Sequence, residues 1–207
     1  GLIIGSQKAA ALSQDQIALI KDFVDVRGGS LLMLGGLSGL GDGGWQNTVV
    51  ADILPLQLIQ GDADTFVRMQ TPAYATAAAL RSPWLRFADN EIENQDRWNL
   101  LPEIADYQIV GEARPGATVL LEVQHSQGTS PLLAYQRYGR GKTYVLASGG
   151  TWRWQMQMPS EDQSHEIFWQ SLLQEMISEV PQSIDFQTDT NWYICLLYTS
   201  PSPRDVE

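Results

Sequence analysis

Three stretches at the start of the chain decide its fold: Leu2-Ile3-Ile4, Ser13-Gln14-Asp15-Gln16-Ile17, and Gly28-Gly29-Ser30-Leu31-Leu32-Met33-Leu34. The first is a short apolar run closed by Gly5-Ser6, which reads as a buried strand with a loop behind it. Ser13 followed three residues later by Gln16 is the signature of a capping box. Ile17, Ile20, Phe23 and Val24 then recur at helical spacing and share one face. Gly28-Gly29 stops the helix. Ser30 to Leu34 is continuously apolar after its serine, as a strand covered on both faces must be. Strand, helix and strand within so short a span form a βαβ unit, whose two strands run parallel.

Working outward, Gly35 to Gly44 is a glycine-rich loop. Trp45 to Ile53 reads as a short helix stopped by Pro55, and Thr65 to Gln70 as a strand. Ala77 to Phe87 is helical only in part, because Pro83 interrupts it. Asp89 to Asp106 reads as acidic, irregular and exposed. Thr118–Gln124, Leu132–Tyr138 and Lys142–Ala147 read as strands, and Tyr138-Gly-Arg-Gly-Lys142 marks a hairpin between the last two. Ser160 to Val180 reads as one long amphipathic helix ended by Pro181, with Ile167, Phe168, Leu172, Met176 and Ile177 on its apolar side. The predicted fold class is α/β: a three-layer, part parallel and part antiparallel sheet flanked by helices. The predicted domain spans residues 1–181, with 182–194 a linker or the start of a following β domain. Residues 195–207, rich in Pro and Ser and without period, resemble translated sequencing-adapter read-through, as in metagenomic fragments.

Composition narrows the function classes. Hydrophobic residues at 43% and charged residues at 18% describe a folded chain rather than a disordered one. The formal charge of −11 repels phosphate backbones, so nucleic acid is not the expected partner. The tail carries one arginine and two acids, so the acidic excess does not depend on it. Cys195 is the single cysteine, which excludes a disulfide framework and a cysteine zinc site. No apolar run is long enough to span a bilayer.

Several motifs, in order, carry a resemblance. Gly-Gly-Ser-Leu-Leu-Met-Leu-Gly-Gly (28–36) with Gly41 and Gly43-Gly44-Trp45 is similar to the glutamine amidotransferase-like domain of large bacterial membrane-anchored proteins. Arg114-Pro-Gly-Ala-Thr-Val-Leu120, Tyr138-Gly-Arg-Gly-Lys142 leading to Ala147, Thr151-Trp-Arg-Trp154, and Phe168-Trp169 to Val180-Pro181 agree, so the resemblance covers residues 1–188. It implies a class I amidotransferase-like (flavodoxin-like) fold whose first strands precede Leu2. It also implies an extracytoplasmic domain of an inner-membrane protein in the bacterial envelope, anchored by segments outside this chain.

Class I amidotransferases attack the side-chain amide of glutamine with a cysteine held on a strand-to-helix elbow. A histidine oriented by a glutamate takes the proton, and backbone amides hold the oxyanion. Here the elbow position after Leu34 holds Gly35 and Gly36, and Ser38 is the nearest hydroxyl. The His-x-Glu pair belongs after a late strand, where this chain reads Ser148-Gly-Gly-Thr-Trp-Arg-Trp154. The resemblance therefore carries the fold without the triad. The expected function is that of a degenerate, non-catalytic interaction or ligand-binding module. Its surface would comprise Gly35, Gly36, Gly41, Trp45, Trp152, Arg153 and Trp154, facing neighbouring domains of the same protein or envelope components. A hydrolase or amidotransferase with altered chemistry would use Ser38 or Asp42 with His165. A structural spacer is a third reading.

Other patterns favour simple packing. Gly39-Leu-Gly-Asp-Gly-Gly44 matches a phosphate-binding spacing but starts late after its strand and carries Asp42. Trp152 and Trp154 can form a stacking platform, extended by Trp45 and Trp98. In the packing reading they flank the sheet while Arg153 pairs with an acid such as Glu161. His165 and Glu161 are two ligands and not a metal site, and the Asp89–Glu103 acids lack calcium-loop spacing. No metal and no cofactor is expected.

Overall fold

The computed structural model describes residues 1–59, 65–126 and 128–178. Strand β1 is Leu2–Ile4, helix α1 Gln14–Asp25 and strand β2 Ser30–Leu34. The capping box forms as read: the Ser13 amide donates to Gln16 Oε1 (2.9 Å) and the Gln16 amide to Ser13 Oγ (3.3 Å). Ile17 and Val24 are buried on the inner face of α1. Gly28, at φ 71°, turns the chain into β2, which pairs parallel with β1, Leu2 opposite Leu31.

Two short strands follow, β3 (Phe66–Val67) and β4 (Tyr74–Ala75), then α2 (Ala77–Arg81), α3 (Glu91–Leu100) and β5 (Tyr107–Gln108). The long strands are β6 (Thr118–His125), β7 (Gly128–Tyr138) and β8 (Gly141–Leu146), and helices α4 (Trp152–Gln157) and α5 (Ser164–Ser178) close the described chain. The main sheet has six strands in the order β1-β2-β8-β7-β6-β4, and β3 pairs with β5 in a separate two-stranded ribbon. β1, β2 and β8 run parallel, whereas β8-β7, β7-β6 and β6-β4 are antiparallel. The fold is thus the mixed sheet flanked by helices that the sequence predicts. β8 is buried along its whole length, which is why it reads as an unbroken run.

Four local readings need correction. Trp45 to Ile53 is two 3₁₀ turns, Trp45–Asn47 and Ala51–Ile53, because Gly44 enters left-handed and Thr48 is extended. The strand predicted over Thr65 to Gln70 shrinks to Phe66–Val67. The stretch Asp89 to Asp106 is not irregular: Asn90 caps α3 by accepting from the Ile92 and Glu93 amides, and Asn94 and Trp98 are buried. The long helix predicted from Ser160 starts at Ser164, where Asp162 Oδ1 accepts the Ser164 amide at 2.9 Å, and a separate helix α4 precedes it. The predictions for residues 179–207, including the linker, the tail and Cys195, lie outside the described residues.

Buried polar groups lock the layers together. Gln136 Nε2 and Thr143 Oγ1 both donate to the Ile53 carbonyl, at 2.9 and 2.6 Å, which pins the 3₁₀ segment over β7 and β8. Lys142 Nζ meets Glu175 Oε1 at 2.6 Å and ties β8 to α5. Trp98, Trp154 and Phe168 form an edge-to-face cluster joining α3, α4 and α5. No helix among the described residues is long and apolar enough to cross a membrane.

Candidate functional site

β1, β2 and β8 end together, and three loops leave from that edge: 5–12, 35–44 and 147–150. In an α/β sheet this carboxyl edge is where ligands are bound. Gly35 occupies the elbow position after β2, and its amide donates to the Leu146 carbonyl at 2.7 Å. A Cβ on Gly35 would lie 2.5 Å from the carbonyl carbon of Ala147 and 2.7 Å from the Ser148 nitrogen. Both neighbours are backbone, so the space is closed to any side chain. Gly36, at φ 150°, has Ser6 against it, and a Cβ there would come to 2.9 Å from Ser6 Oγ. Ser6 Oγ in turn accepts the Ser38 amide at 2.8 Å.

The rest of the glycine loop is held from within. The Gly39, Gly43 and Gly44 amides donate to the Gly36, Gly39 and Gly41 carbonyls, so three of the loop's glycine N–H groups are already engaged within the loop. Asp42 accepts from the Thr65 amide (3.0 and 3.1 Å), the Thr65 hydroxyl (2.8 Å) and the Phe66 amide (2.9 Å). Its carboxylate clamps β3 to the loop. Gly41 lies against Ile59, whose carbonyl oxygen would be 2.5 Å from an added Cβ. Trp45 is fully buried and donates from Nε1 to the Gln7 carbonyl at 2.7 Å. Buried Gln108 completes the clamp: Nε2 donates to the Gly39 carbonyl and to Thr65 Oγ1, both at 3.0 Å, and Oε1 accepts the Gly36 amide at 3.4 Å.

The loop after β8 is tied down by Asp106, whose carbonyl accepts the Ser148 hydroxyl (2.7 Å) and whose Oδ1 accepts the Gly149 amide (3.1 Å). α4 follows at once. Its two indoles do not form a paired platform: Trp152 is 49% exposed, whereas Trp154 is 1% exposed, its ring centroid 5.2 Å from that of Phe168. Trp45 and Trp98 are buried too, so of this aromatic set Trp152 alone faces outward. Among the described residues Arg153 pairs with neither Glu161 nor another acid: Nε donates to the Glu103 carbonyl (3.1 Å) and Nη2 to Gln70 Oε1 (3.0 Å). Leu37 projects from the glycine loop, 64% exposed. The structure therefore brings the 35–44 loop and the 147–154 segment onto one edge, with Leu37, Trp152 and Arg153 as its outward groups.

His165 sits in the first turn of α5. Burial holds its imidazole below the ordinary histidine range, and Glu166 opposes that shift. Neither Ser38 nor Asp42 has a histidine among its hydrogen-bond partners. Among the described residues no three His, Cys, Asp or Glu side chains converge as a metal site would require. Sequence reasoning missed Gln108 and Asp106, which organise the edge. Neither belongs to a motif, and only the topology brings them to the glycine loops.

A family model described as "Putative glutamine amidotransferase" matches residues 6–178. A comparison with curated proteins returned no match. Among solved structures, the chain is similar to a cytoplasmic protein from Salmonella typhimurium at a TM-score of 0.64 and 23% identity, over 84% of this chain and 70% of that one. A second cytoplasmic protein from Salmonella typhimurium LT2 gives 0.62 and 22%, with the same coverage. A β-galactosidase from Rahnella sp. R3 gives 0.50 and 15%, over 89% of this chain and 23% of the enzyme. At these identities the likeness is one of fold.

Proposed function

The chain belongs to the glutamine amidotransferase-like family, and from that membership we propose that it is a non-catalytic recognition module of a bacterial membrane-anchored protein. The observation that carries the reading is the filled elbow. Where the family chemistry needs a thiol, Gly35 packs on the Ala147–Ser148 backbone with no volume for a side chain. The neighbouring polar groups, Asp42, Gln108, Asp106 and Ser148, are engaged in holding loops. Acyl transfer needs a nucleophile, a base within hydrogen-bond reach and free donors for the oxyanion. A rigid edge with an exposed leucine, an exposed indole and a guanidinium instead suits contact with another surface.

The partner in this reading is a neighbouring domain of the same protein or an envelope component such as a cell-wall fragment. The purified chain is expected to release no ammonia from glutamine. It is expected to bind one of those two partners, with Trp152→Ala and Leu37→Asp each weakening binding about tenfold, the loss typical of a central interface residue, while leaving the melting temperature unchanged. Ammonia release abolished by a change between residues 35 and 42 would overturn the reading, as would partner binding indifferent to both substitutions. The compartment is part of the proposal. A reporter fused to the intact gene should be active only when it requires export.

A further inference from the structure

Helix α3 turns its apolar residues the wrong way for a helix that only packs. Asn94 and Trp98 hold it to the molecule, and both are buried. Asn94 Oδ1 accepts the Phe87 amide at 2.9 Å, and the Trp98 ring centroid lies 4.7 Å from that of Phe87 and 6.4 Å from those of Trp154 and Phe168. At about 3.6 residues per turn, the opposite face carries Ile92, Asp96 and Leu100. Ile92 and Leu100 are 74% and 66% exposed, and they stand about 12 Å apart along the axis. One exposed aliphatic needs no explanation. Two in register, on a helix that turns an asparagine inward, form a stripe directed away from the core.

The stripe is set among carboxylates. Along α3 stand Glu91, Glu93 and Asp96 against one arginine, Arg97. Arg97 is joined to Asp162 at 2.9 Å, so the face keeps a negative sign. The flanks add Asp89 and Glu103 and one further base, Arg86. Glu91 and Glu93 lie in the first turn, where the helix dipole favours acids for the helix's own stability. Asp96 stands beyond that turn, exposed, between the two aliphatics. Aliphatic anchors two turns apart, with acids between and beside them, match an amphipathic helix that carries Lys or Arg along its apolar side. A second copy of this face does not match, because it would bring like charges together.

We propose that the outer face of α3 docks a basic amphipathic helix of a partner protein, its apolar side chains on Ile92 and Leu100 and its Lys or Arg side chains on Glu93 and Asp96. The surface is separate from the recognition edge and does not rest on the partner proposed there. Three synthetic peptides of about 18 residues, long enough to cover α3, test it by titration of the full chain at about 0.15 M salt. One has leucines at helical spacing flanked by lysines, one replaces each lysine with glutamate, and one scrambles the first so that no apolar face forms. The first should bind with a Kd on the order of 0.1 mM, as fits a small, transient contact, and should move the amide resonances of α3. The other two should bind at least about tenfold more weakly. The Ile92→Gln/Leu100→Gln variant, which keeps helix propensity, and the Glu93→Gln/Asp96→Asn variant should each weaken binding of the first peptide about tenfold while keeping the melting temperature. Trp152→Ala should leave that binding unchanged. No binding of the first peptide, equal binding of all three, or double variants that bind as well as the parent overturn the proposal. So does a loss on Trp152→Ala, which would put the peptide on the recognition edge. Self-association of the unsubstituted chain that the Ile92→Gln/Leu100→Gln variant abolishes overturns it too, since the occupant would then be a second copy.

Discussion

Asp42 and Thr65 are joined through both backbone and side chain: the Thr65 amide and hydroxyl both donate to the Asp42 carboxylate, the hydroxyl at 2.8 Å. The Phe66 amide adds a further donor at 2.9 Å. A carboxylate in a glycine loop invites a catalytic reading, but here its lone pairs are occupied by the strand it anchors. Hydrogen bonds to a charged acceptor contribute about 1.5–3 kcal/mol each and are not additive within one group. Asp42→Ala is therefore expected to cost about 3 kcal/mol in urea unfolding, and Asp42→Asn less, because one carbonyl acceptor remains. A loss below about 0.5 kcal/mol for the alanine variant, the level of an ordinary surface change, would show that the clamp is not structural.

The closure at Gly35 makes a second, sharper expectation. Gly35→Ala places a methyl 2.5 Å from the Ala147 carbonyl carbon, and neither backbone can retreat without breaking the β2–β8 register. Overpacking of this kind costs about 1–3 kcal/mol or more. Gly35→Cys should be destabilised at least as much and should gain no glutaminase activity, since no base stands beside it. Gly44 is the control: at φ 77° with nothing within 4 Å of its Cβ, Gly44→Ala meets only backbone strain, about 1 kcal/mol. A Gly35→Ala protein as stable as the parent would contradict the packing.

The tryptophans separate cleanly by burial. Trp98 is 3% exposed and meets Phe87, Trp154 and Phe168, with ring centroids 4.7 to 6.4 Å apart. Trp98→Ala should cost about 3–5 kcal/mol, the range for large-to-small core changes. Trp152→Ala, on the exposed side of α4, should stay within about 0.5 kcal/mol. Equal losses for the two, measured by chemical denaturation, would mean that α4 packs differently.

These residues also show what could be read from the chain and what could not. The βαβ start was legible because Ser13, Gln16, Ile17 and Val24 act locally, through a cap and a stripe that need no knowledge of the rest of the fold. The β7–β8 hairpin was legible for the same reason, since Gly139 at φ 55° supplies the turn. α3 was not legible, because its buried face is Asn94 and Trp98 while Ile92 and Leu100 are 74% and 66% exposed. Such a helix has no apolar stripe, and the one usable signal was Asn90 three residues before Glu93. The site fared similarly. Gly35, Gly36 and the 147–154 segment were placed on one edge by pattern, but which indole faces solvent is decided by tertiary packing. Gln108 and Asp106 act on partners about 40 to 70 residues away, beyond the reach of any local pattern.

The Lys142–Glu175 pair tests the join between β8 and α5. Both side chains are largely covered, at 7% and 17% exposure, and meet at 2.6 Å. Removing Glu175 takes one short charge-assisted contact from a largely covered ammonium, a loss of about 2 kcal/mol. Glu175→Gln should therefore lower stability by that order. A Lys142→Met/Glu175→Leu double variant should recover most of the loss, because it removes the desolvated charges together. A double variant less stable than the sum of the singles would rule out this account.

Protonation of His165 gives the pH dependence a definite sign. Burial is the larger influence on its imidazole and holds it below the usual 6.5, with Glu166 acting in the opposite direction. Between the folded value and 6.5 the unfolded chain binds a proton that the folded chain does not, so stability rises with pH through that window and is lost on acidification from 6.5 downward. His165→Gln removes the titration. The parent should lose stability relative to this variant as the buffer is taken from about pH 7 to about pH 5, a span chosen around the ordinary histidine value and above that of most carboxylates. Parallel stability curves for the two proteins over that range, or a parent that gains on acidification, would show that the imidazole is as readily protonated in the folded chain as in the unfolded one.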